Sequence, residues 1–277
     1  MIRTSTQLKA KVKNLSGGDS RKSQTLIRNF VMERFLERIA LSDYRDNFIL
    51  KGGMLVASVV GLDTRATMDI DTTIQSQNLS QDDARKILED VIAVRIDDGV
   101  EFAITKVADI MEEHDYPGVR VMLEASLDRL RQAIKVDIST GDVITPHAVE
   151  YSYPLMFEER SIALLSYNIE TLLAEKLETI MARAGANTRM RDFYDIHVLG
   201  RTERIDDATL KAAFSATSRE RGTEGLIPEL GDILDNAESD AAMRRLWNNY
   251  AKDSFFVEGL QWADVMESAR ALAAKAL

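Results

Sequence analysis

Residues 51–71, KGGMLVASVVGLDTRATMDID, are the stretch that most constrains the fold of this chain. Two adjacent glycines open an apolar segment of helical character, and an Asp-Ile-Asp alternation ends the stretch. Such alternation predicts a β-strand, in which residues two apart point to the same face of the sheet. Asp69 and Asp71 are therefore predicted to project side by side from one strand.

Two carboxylates held this close repel each other. A divalent cation such as Mg²⁺ removes the repulsion, because it prefers carboxylate oxygens and keeps coordination positions open for phosphate. Backbone N–H groups of a glycine-rich turn before a helix bind anions. A phosphate-binding turn followed by a metal-binding carboxylate pair is what phosphoryl or nucleotidyl transfer requires. The structural alternative is a solvated Asp-X-Asp on a surface strand.

The composition excludes several other classes of site. The chain has 277 residues, enough for one large domain or two modest ones, and 45% of them are hydrophobic. It has no cysteine, which excludes disulfides, zinc–thiolate sites and thiol nucleophiles, and its three histidines are too scattered to predict a histidine metal site. We find no apolar run of roughly 20 residues and no signal-peptide core, so we expect a cytoplasmic protein without a membrane partner.

The charge of the chain is unevenly distributed. The net charge is −10, which argues against a generic nucleic-acid binder. Residues 1–28, however, contain seven basic residues and one acid, a local charge of +6 that leaves −16 for the remainder. A second acid-free patch, MARAGANTRMR, covers residues 181–191. Such patches either steer a polyanion or form ordinary solvated surface.

Periodicity predicts the remaining elements. Helical spacing covers residues 21–41 and 80–94, and the second of these helices begins with a capping-box pattern. Residues 100–110, 118–127 and 132–140 are strand candidates, and residues 145–154, which contain two prolines, are a loop or an edge connection. From about residue 168 the chain is predicted to be helical, with helices that include stretches near 206–220 and 238–250. We therefore expect an α/β fold with two domains, residues 1–160 and residues 161–277.

Asp137 and Lys176 are further candidates for the site. Asp137 lies on the polar side of an alternating strand, where it is either solvated or available to bind metal or to accept a proton from an attacking hydroxyl. Lys176 falls inside the apolar face of the helix near residues 169–184, so its ammonium must snorkel, pair or bind an anion. Arg191 and Asp195 have the i,i+4 spacing of a helix salt bridge. The Phe-Tyr pair between them is predicted to belong to the core.

Five motifs occur together in this sequence: KGG, then RATMDID, then KVDI followed by GDVITP, then AEKL, then RMRDFYDI. In this order and spacing the chain resembles the AbiEii/AbiGii toxin family from about residue 5 to about residue 200, with a looser helical remainder. Members are nucleotidyltransferases of bacterial type IV toxin–antitoxin and abortive-infection systems. The resemblance implies a nucleotidyltransferase-like mixed β-sheet core of the polymerase-β type, an N-terminal helical segment and an α-helical C-terminal domain.

The resemblance also implies roles for individual residues. Asp69 and Asp71 would hold Mg²⁺ or Mn²⁺, with Asp137 at a third acidic position whose role varies in the family, and Asp195 would be the catalytic-motif aspartate of the helical half. Lys176 would contact phosphate. The residues expected to bind the nucleotide are Lys51, Gly52, Gly53, Arg65, Thr67 and Arg191. Arg191 stands where many members have lysine, a mild departure. In some relatives the position of Thr67 is a target of inactivating phosphorylation.

The function that the resemblance implies is transfer of a nucleotide from an NTP to an acceptor, most specifically the 3′ end of tRNA, which blocks translation. The alternatives are transfer to a protein or a small molecule, and a non-catalytic regulator that binds GTP or another NTP. The expected partners are the NTP, tRNA and a cognate antitoxin. Because type IV systems act without a toxin–antitoxin complex, we expect no stable heterodimer.

Overall fold

The apolar–polar alternation of the first half of the chain becomes a mixed seven-stranded sheet in the computed structural model, which describes residues 1–75, 79–110, 118–257 and 259–277. Its strands are β1 Phe48–Lys51, β2 Asp69–Ile74, β3 Glu101–Ile110, β4 Gly118–Leu127, β5 Leu130–Thr140, β6 Val149–Pro154 and β7 Ser161–Ser166. Their order across the sheet is β3-β4-β5-β2-β1-β7-β6. Strand β2 runs parallel to β5, and β1 runs parallel to β7. The α/β fold class is therefore confirmed.

Four helices accompany this sheet in the described chain, and six follow it. The first four are α1 Ser5–Ser16, α2 Ser20–Leu41, α3 Gly52–Val60 and α4 Gln81–Ala93. The others are α5 Ile169–Arg183, α6 Met190–Thr202, α7 Asp207–Glu220, α8 Leu230–Ser239, α9 Ala241–Asp253 and α10 Trp262–Ala276. Short 3₁₀ turns follow α5 and α7. No helix of the described residues is both long enough and apolar enough to span a bilayer.

The N-terminal caps explain where several helices begin. Asp19 accepts a hydrogen bond from the backbone of Lys22 at the start of α2. At the start of α4, Ser80 and Asp83 form the reciprocal capping box that the sequence predicts. Each cap satisfies backbone N–H groups that the first turn of a helix leaves without an intrahelical partner.

Several elements differ from the sequence-based expectation, among them strand β1, which was not predicted. Residues 149–154 form strand β6, which lies at the edge of the sheet. Pro154 has no backbone N–H to donate, and an edge strand tolerates this because it has a neighbouring strand on one side only. Strand β7 was not predicted, although its buried Ile162 and Leu164 alternate with more exposed neighbours. Helix α8 was also missed, because it is short and ends immediately before α9.

The chain forms two compact units. The first contains residues 1–58, 66–141 and 149–166, and it includes the whole sheet. The second contains residues 59–65, 142–148 and 167–277, and it is largely helical. The division of the chain into domains of residues 1–160 and 161–277 stays a prediction.

Candidate metal and nucleotide site

Pairing of β2 with β5 brings three carboxylates together in the first unit. In the parallel register Asp71 lies opposite Asp137, and Asp69 lies opposite Lys135. One carboxylate oxygen from each of Asp69, Asp71 and Asp137 lies within 4.8 Å of the other two. Asp69 is buried, whereas Asp71 and Asp137 are partly exposed. The three residues that the sequence predicts as metal ligands therefore form one cluster.

The glycine pair approaches this cluster from the end of β1. Gly52 has a φ of +65°, and a Cβ added there would lie 2.1 Å from Oδ2 of Asp71. A side chain at position 52 would thus displace the carboxylate, and positive φ is itself strained for any residue except glycine. The backbone N–H of Gly53 donates to the same Oδ2 at 3.4 Å. Lys51 lies opposite Asp71 in the β1–β2 register and is partly exposed.

A hydroxyl donor orients the first aspartate. The side chain of Thr67 donates to Oδ1 of Asp69 at 2.9 Å. Thr67 is buried, so this hydrogen bond is made away from bulk water. This hydrogen bond orients the carboxylate through Oδ1, so the other oxygen, Oδ2, is the one that meets the remaining groups of the cluster.

Two basic residues of the cluster were missed by sequence reasoning. Lys135 places Nζ 2.7 Å from Oδ2 of Asp69 and 3.6 Å from Oδ2 of Asp137. Arg120, opposite Asp137 on β4, donates to both of its oxygens at 2.8 Å. Lys135 had a local signal, because it lies two residues before Asp137 and so shares its face. Arg120 had none, because only the cross-strand register brings it to Asp137.

The donor set fits a divalent cation. Carboxylate oxygens are the ligands that Mg²⁺ and Mn²⁺ prefer, and three from two strands leave further coordination positions for phosphate oxygens. The absence of a side chain at Gly52 leaves room for the Asp71 carboxylate. The residues that would hold the cation are therefore Asp69 and Asp71, with Asp137 as a third ligand that is already paired with Arg120.

A second polar cluster lies in the helical unit. Nζ of Lys176 is 2.6 Å from Oδ2 of Asp195 and 3.1 Å from Oδ1 of Asp192. Nε of Arg65 donates to Oδ1 of Asp195 at 2.5 Å. Lys176 lies in the buried face of α5, as its helical position predicts. Of the three outcomes that the sequence leaves open for Lys176, ion pairing is the one observed.

The charges of this cluster stabilise one another. Burial opposes ionisation of Asp195, but Arg65 and Lys176 outweigh it, so the pKa of this carboxyl lies below its usual value. Burial also opposes the charged form of Lys176, yet the two aspartates hold the pKa of its ammonium above the ordinary value. Arg191 is exposed, so the partners of Asp195 are Arg65 and Lys176 in place of the predicted i,i+4 arginine.

Aromatic packing holds α6 in place around this cluster. Phe193 and Tyr194 are buried, which confirms that they belong to the core. Phe193 packs edge-on against Trp262, with ring centroids 5.0 Å apart. The hydroxyl of Tyr194 contacts the carbonyl oxygen of Thr64 and lies 3.1 Å from that of Phe256. The backbone next to Arg65 is thereby attached to the helix that carries Asp195.

Comparison with known proteins identifies the family. The family model of the nucleotidyl transferase AbiEii toxin of type IV toxin–antitoxin systems matches residues 34–272. The chain belongs to the AbiEii toxin family. It is therefore a member of a family of nucleotidyltransferases, and the family implies an NTP substrate and an antitoxin partner. A comparison with curated proteins finds no match.

Two solved structures share the fold of this AbiEii-family chain. A candidate nucleotidyltransferase from H. pylori superposes with a TM-score of 0.53 at 16% identity, covering 91% of this chain and 93% of that one. JHP933 from Helicobacter pylori superposes with a TM-score of 0.50 at 17% identity, covering 91% and 90%. At these identities the likeness concerns the fold, and it supports the nucleotidyltransferase architecture predicted from the motifs.

Proposed function

We propose that this AbiEii-family chain transfers a nucleoside monophosphate from an NTP to the 3′ end of tRNA and thereby blocks translation in the cytoplasm. The observation that carries the proposal is the carboxylate cluster of Asp69, Asp71 and Asp137 beside the glycine pair. This arrangement offers oxygen ligands for Mg²⁺ or Mn²⁺. The glycine backbone beside them has no side chains that would block a bound triphosphate.

The proposed reaction is a single displacement at phosphorus. The 3′-hydroxyl oxygen of the acceptor bonds to the α-phosphorus of the NTP, the bond to the pyrophosphate oxygen breaks, and pyrophosphate leaves with that electron pair. Asp69 and Asp71 would hold a divalent cation, which would neutralise the charge of the phosphates. We assign Asp137 to the same cluster, where it has two alternative roles, a third ligand of that cation or the acceptor of the hydroxyl proton. Gly52 and Gly53 admit the triphosphate.

We assign supporting roles to the residues of the helical unit. An ammonium has three donors, and two donors of Lys176 point to Asp192 and Asp195. The third is the donor that we assign to a phosphate oxygen. Asp195 then acts mainly by orienting Lys176 and Arg65. Lys51, Thr67 and Arg191 remain proposed nucleotide-binding residues.

The proposed acceptor is an RNA because of the exposed basic surface at the N-terminus. Lys9 and Lys13 of α1 are exposed one helical turn apart, in a segment whose local charge is +6. Phosphate contacts of this kind position an RNA backbone without reading its sequence. A cognate antitoxin is a proposed partner through the family, without a stable complex.

The test is an incubation of the purified full chain with total tRNA, Mg²⁺ and each α-labelled NTP in turn. The Asp69→Ala variant is expected to lose labelling completely, because it removes a metal ligand. Glu101→Gln is the matched control, because Glu101 is an exposed strand carboxylate outside the cluster and its loss should leave labelling unchanged. Labelling of tRNA by one NTP in the wild type alone would identify donor and acceptor together.

The same experiment distinguishes the other acceptors. Labelling that survives in Asp69→Ala would refute the assigned mechanism. Absence of tRNA labelling in a folded wild type, with label entering a protein or a small molecule, would favour the alternative transferase activity, which the net charge of −10 favours over a nucleic-acid substrate.

A further inference from the structure

Lys135 is in direct contact with two of the three clustered carboxylates. Its Nζ lies 2.7 Å from Oδ2 of Asp69, a hydrogen-bonding distance, and 3.6 Å from Oδ2 of Asp137. The contact follows from the sheet, because Lys135 lies opposite Asp69 in the β2–β5 register and two residues before Asp137 on the same strand.

The two carboxylates that Lys135 contacts belong to the three that could hold a divalent cation. Oδ1 of Asp69 accepts from Thr67, so Oδ2 is the oxygen directed toward the cluster, and Lys135 pairs with it. Both oxygens of Asp137 accept from Arg120. A cation bound to Asp69 and Asp137 at the 2.0–2.6 Å typical of Mg²⁺ and Ca²⁺ would therefore meet the ammonium at close range, and the two positive charges would repel each other.

We propose that Lys135 is an exchangeable cation of this site. It pairs closely with Asp69, and at a longer distance with Asp137, until a divalent cation binds, and its ammonium then moves to the triphosphate of the incoming nucleotide. The second step rests on the function proposed above. The lysine is suited to the exchange, because its side chain is 27% exposed and its flexible stem carries a compact charge that binds phosphate.

The exchange predicts effects of opposite sign in one variant. Lys135→Met removes the competitor, so Mn²⁺ alone should bind more tightly, by about fivefold or more, the range typical of coupling between two binding events. The same variant loses the ammonium that meets the phosphates, so inorganic tripolyphosphate should bind the Mn²⁺-loaded protein less tightly, again by about fivefold. A lysine with a purely structural role would not produce this pair of changes.

The experiment is a titration of the full chain with Mn²⁺, in which free Mn²⁺ is followed by electron paramagnetic resonance, repeated with tripolyphosphate. Asp69→Asn shows that the bound Mn²⁺ occupies this cluster, because it should weaken binding. Lys106→Met is the matched control, since Lys106 is an exposed strand lysine outside the cluster, and it should bind as the wild type does. Lys135→Gln is the second variant, and circular dichroism confirms that each variant is folded.

Tighter Mn²⁺ binding together with weaker tripolyphosphate binding in the Lys135 variants would support the proposal. Mn²⁺ affinity equal to or below that of the wild type would overturn it, as would the absence of Mn²⁺ binding that depends on Asp69. Unchanged tripolyphosphate binding would overturn the second step. The Mn²⁺ titrations contain neither nucleotide nor tRNA. A protein that shows the exchange but labels no tRNA would therefore refute the proposed function alone.

Discussion

At Gly52 the backbone passes so close to Asp71 that no side chain fits between them. Gly17 has a similar φ, +60° against +65°, but a Cβ there would meet nothing within 4 Å. Gly52→Ala combines backbone strain with displacement of a carboxylate, whereas Gly17→Ala carries the strain alone. The pair therefore separates conformational strain from damage to the site.

We expect Gly17→Ala to lower the free energy of unfolding by about 1–2 kcal/mol, the usual cost of a left-handed conformation in a residue with a side chain. Gly52→Ala should cost more than this and should also weaken Mn²⁺ binding, because Asp71 must move. Urea unfolding and a Mn²⁺ titration measure the two effects. Equal stability losses in the two variants, with Mn²⁺ binding retained, would contradict the close approach at Gly52.

At the level of elements, the ion pairs of Lys176 and Asp195 connect α5 with α6. Asp195 is fully buried between Lys176 and Arg65, and Lys176 also pairs with the buried Asp192, so removing Lys176 takes one cationic partner from each of two buried carboxylates. This gives Lys176 a large structural contribution in addition to its proposed phosphate contact. Loss of activity in a Lys176 variant therefore needs a stability measurement beside it.

Lys176→Met is expected to lower the free energy of unfolding by about 3–5 kcal/mol, as for other broken buried pairs. Lys275→Met is the control, since the Lys275–Asp207 pair is exposed and its loss should cost less than about 1 kcal/mol. Urea denaturation at pH 7 compares the two variants. Similar small losses in both would show that the buried pairs contribute little.

The same cluster determines how the free energy of unfolding changes at acid pH. The pKa of Asp195 is lower in the folded chain than its ordinary value of 3.8, because Arg65 and Lys176 outweigh the effect of burial. The stabilisation is therefore present above that ordinary value and is lost as pH falls through the folded pKa.

Helix α2 carries a carboxyl group, Glu33, whose pKa is shifted in the opposite direction, upward. Glu33 accepts hydrogen bonds from the side chain of Asn29 at 2.8 Å and from the backbone N–H of Met156 at 3.1 Å. Burial raises the pKa of Glu33 to about 8, although Arg34 favours its charged form. Between its ordinary value of 4.5 and about 8 the folded chain thus retains a proton that the unfolded chain releases. Stability is therefore lost as pH rises through this window.

Glu33→Gln should abolish this part of the pH dependence and raise the melting temperature at pH 8 relative to the wild type, because the amide stays neutral and can still accept both hydrogen bonds. Glu159→Gln, an exposed residue of the turn that contains Met156, is the control and should behave as the wild type. Thermal unfolding at pH 5.5 and pH 8 measures the difference. Parallel pH profiles in Glu33→Gln and the wild type would refute the assignment.

At the scale of the whole molecule, charge is separated along the chain. Residues 1–33 precede the range that the family model matches, and they contain the whole basic N-terminal segment, residues 1–28. The rest of the chain is strongly acidic. If tRNA is the acceptor, this segment is where phosphate contacts are expected, and such contacts make binding depend on salt.

The double variant Lys9→Gln/Lys13→Gln should weaken tRNA binding. It should also lower the slope of log Kd against log salt concentration by about two, roughly one for each lost phosphate contact. Lys86→Gln/Lys106→Gln removes the same charge from exposed positions elsewhere in the first unit and is the control. Filter binding at several salt concentrations gives both slopes. Identical slopes in the two double variants would show that α1 does not contact RNA.

The sequence alone determined those features that depend on local pattern. Alternation placed Asp69 and Asp71 on one face of a strand, the glycine pair marked the approach to Asp71, and helical spacing placed Lys176 in a buried face. These features need only the periods of strands and helices, which are properties of neighbouring residues.

The tertiary structure decided which distant groups meet. Arg120 reaches Asp137 through the register of β4 with β5, and Lys135 reaches Asp69 through that of β5 with β2. Arg65 reaches Asp195 across 130 residues of sequence. No local period encodes such pairings, because they depend on strand order and helix packing, in which the whole chain takes part. Burial then determines how strongly each pair interacts, because the charges are shielded from water only in the folded chain.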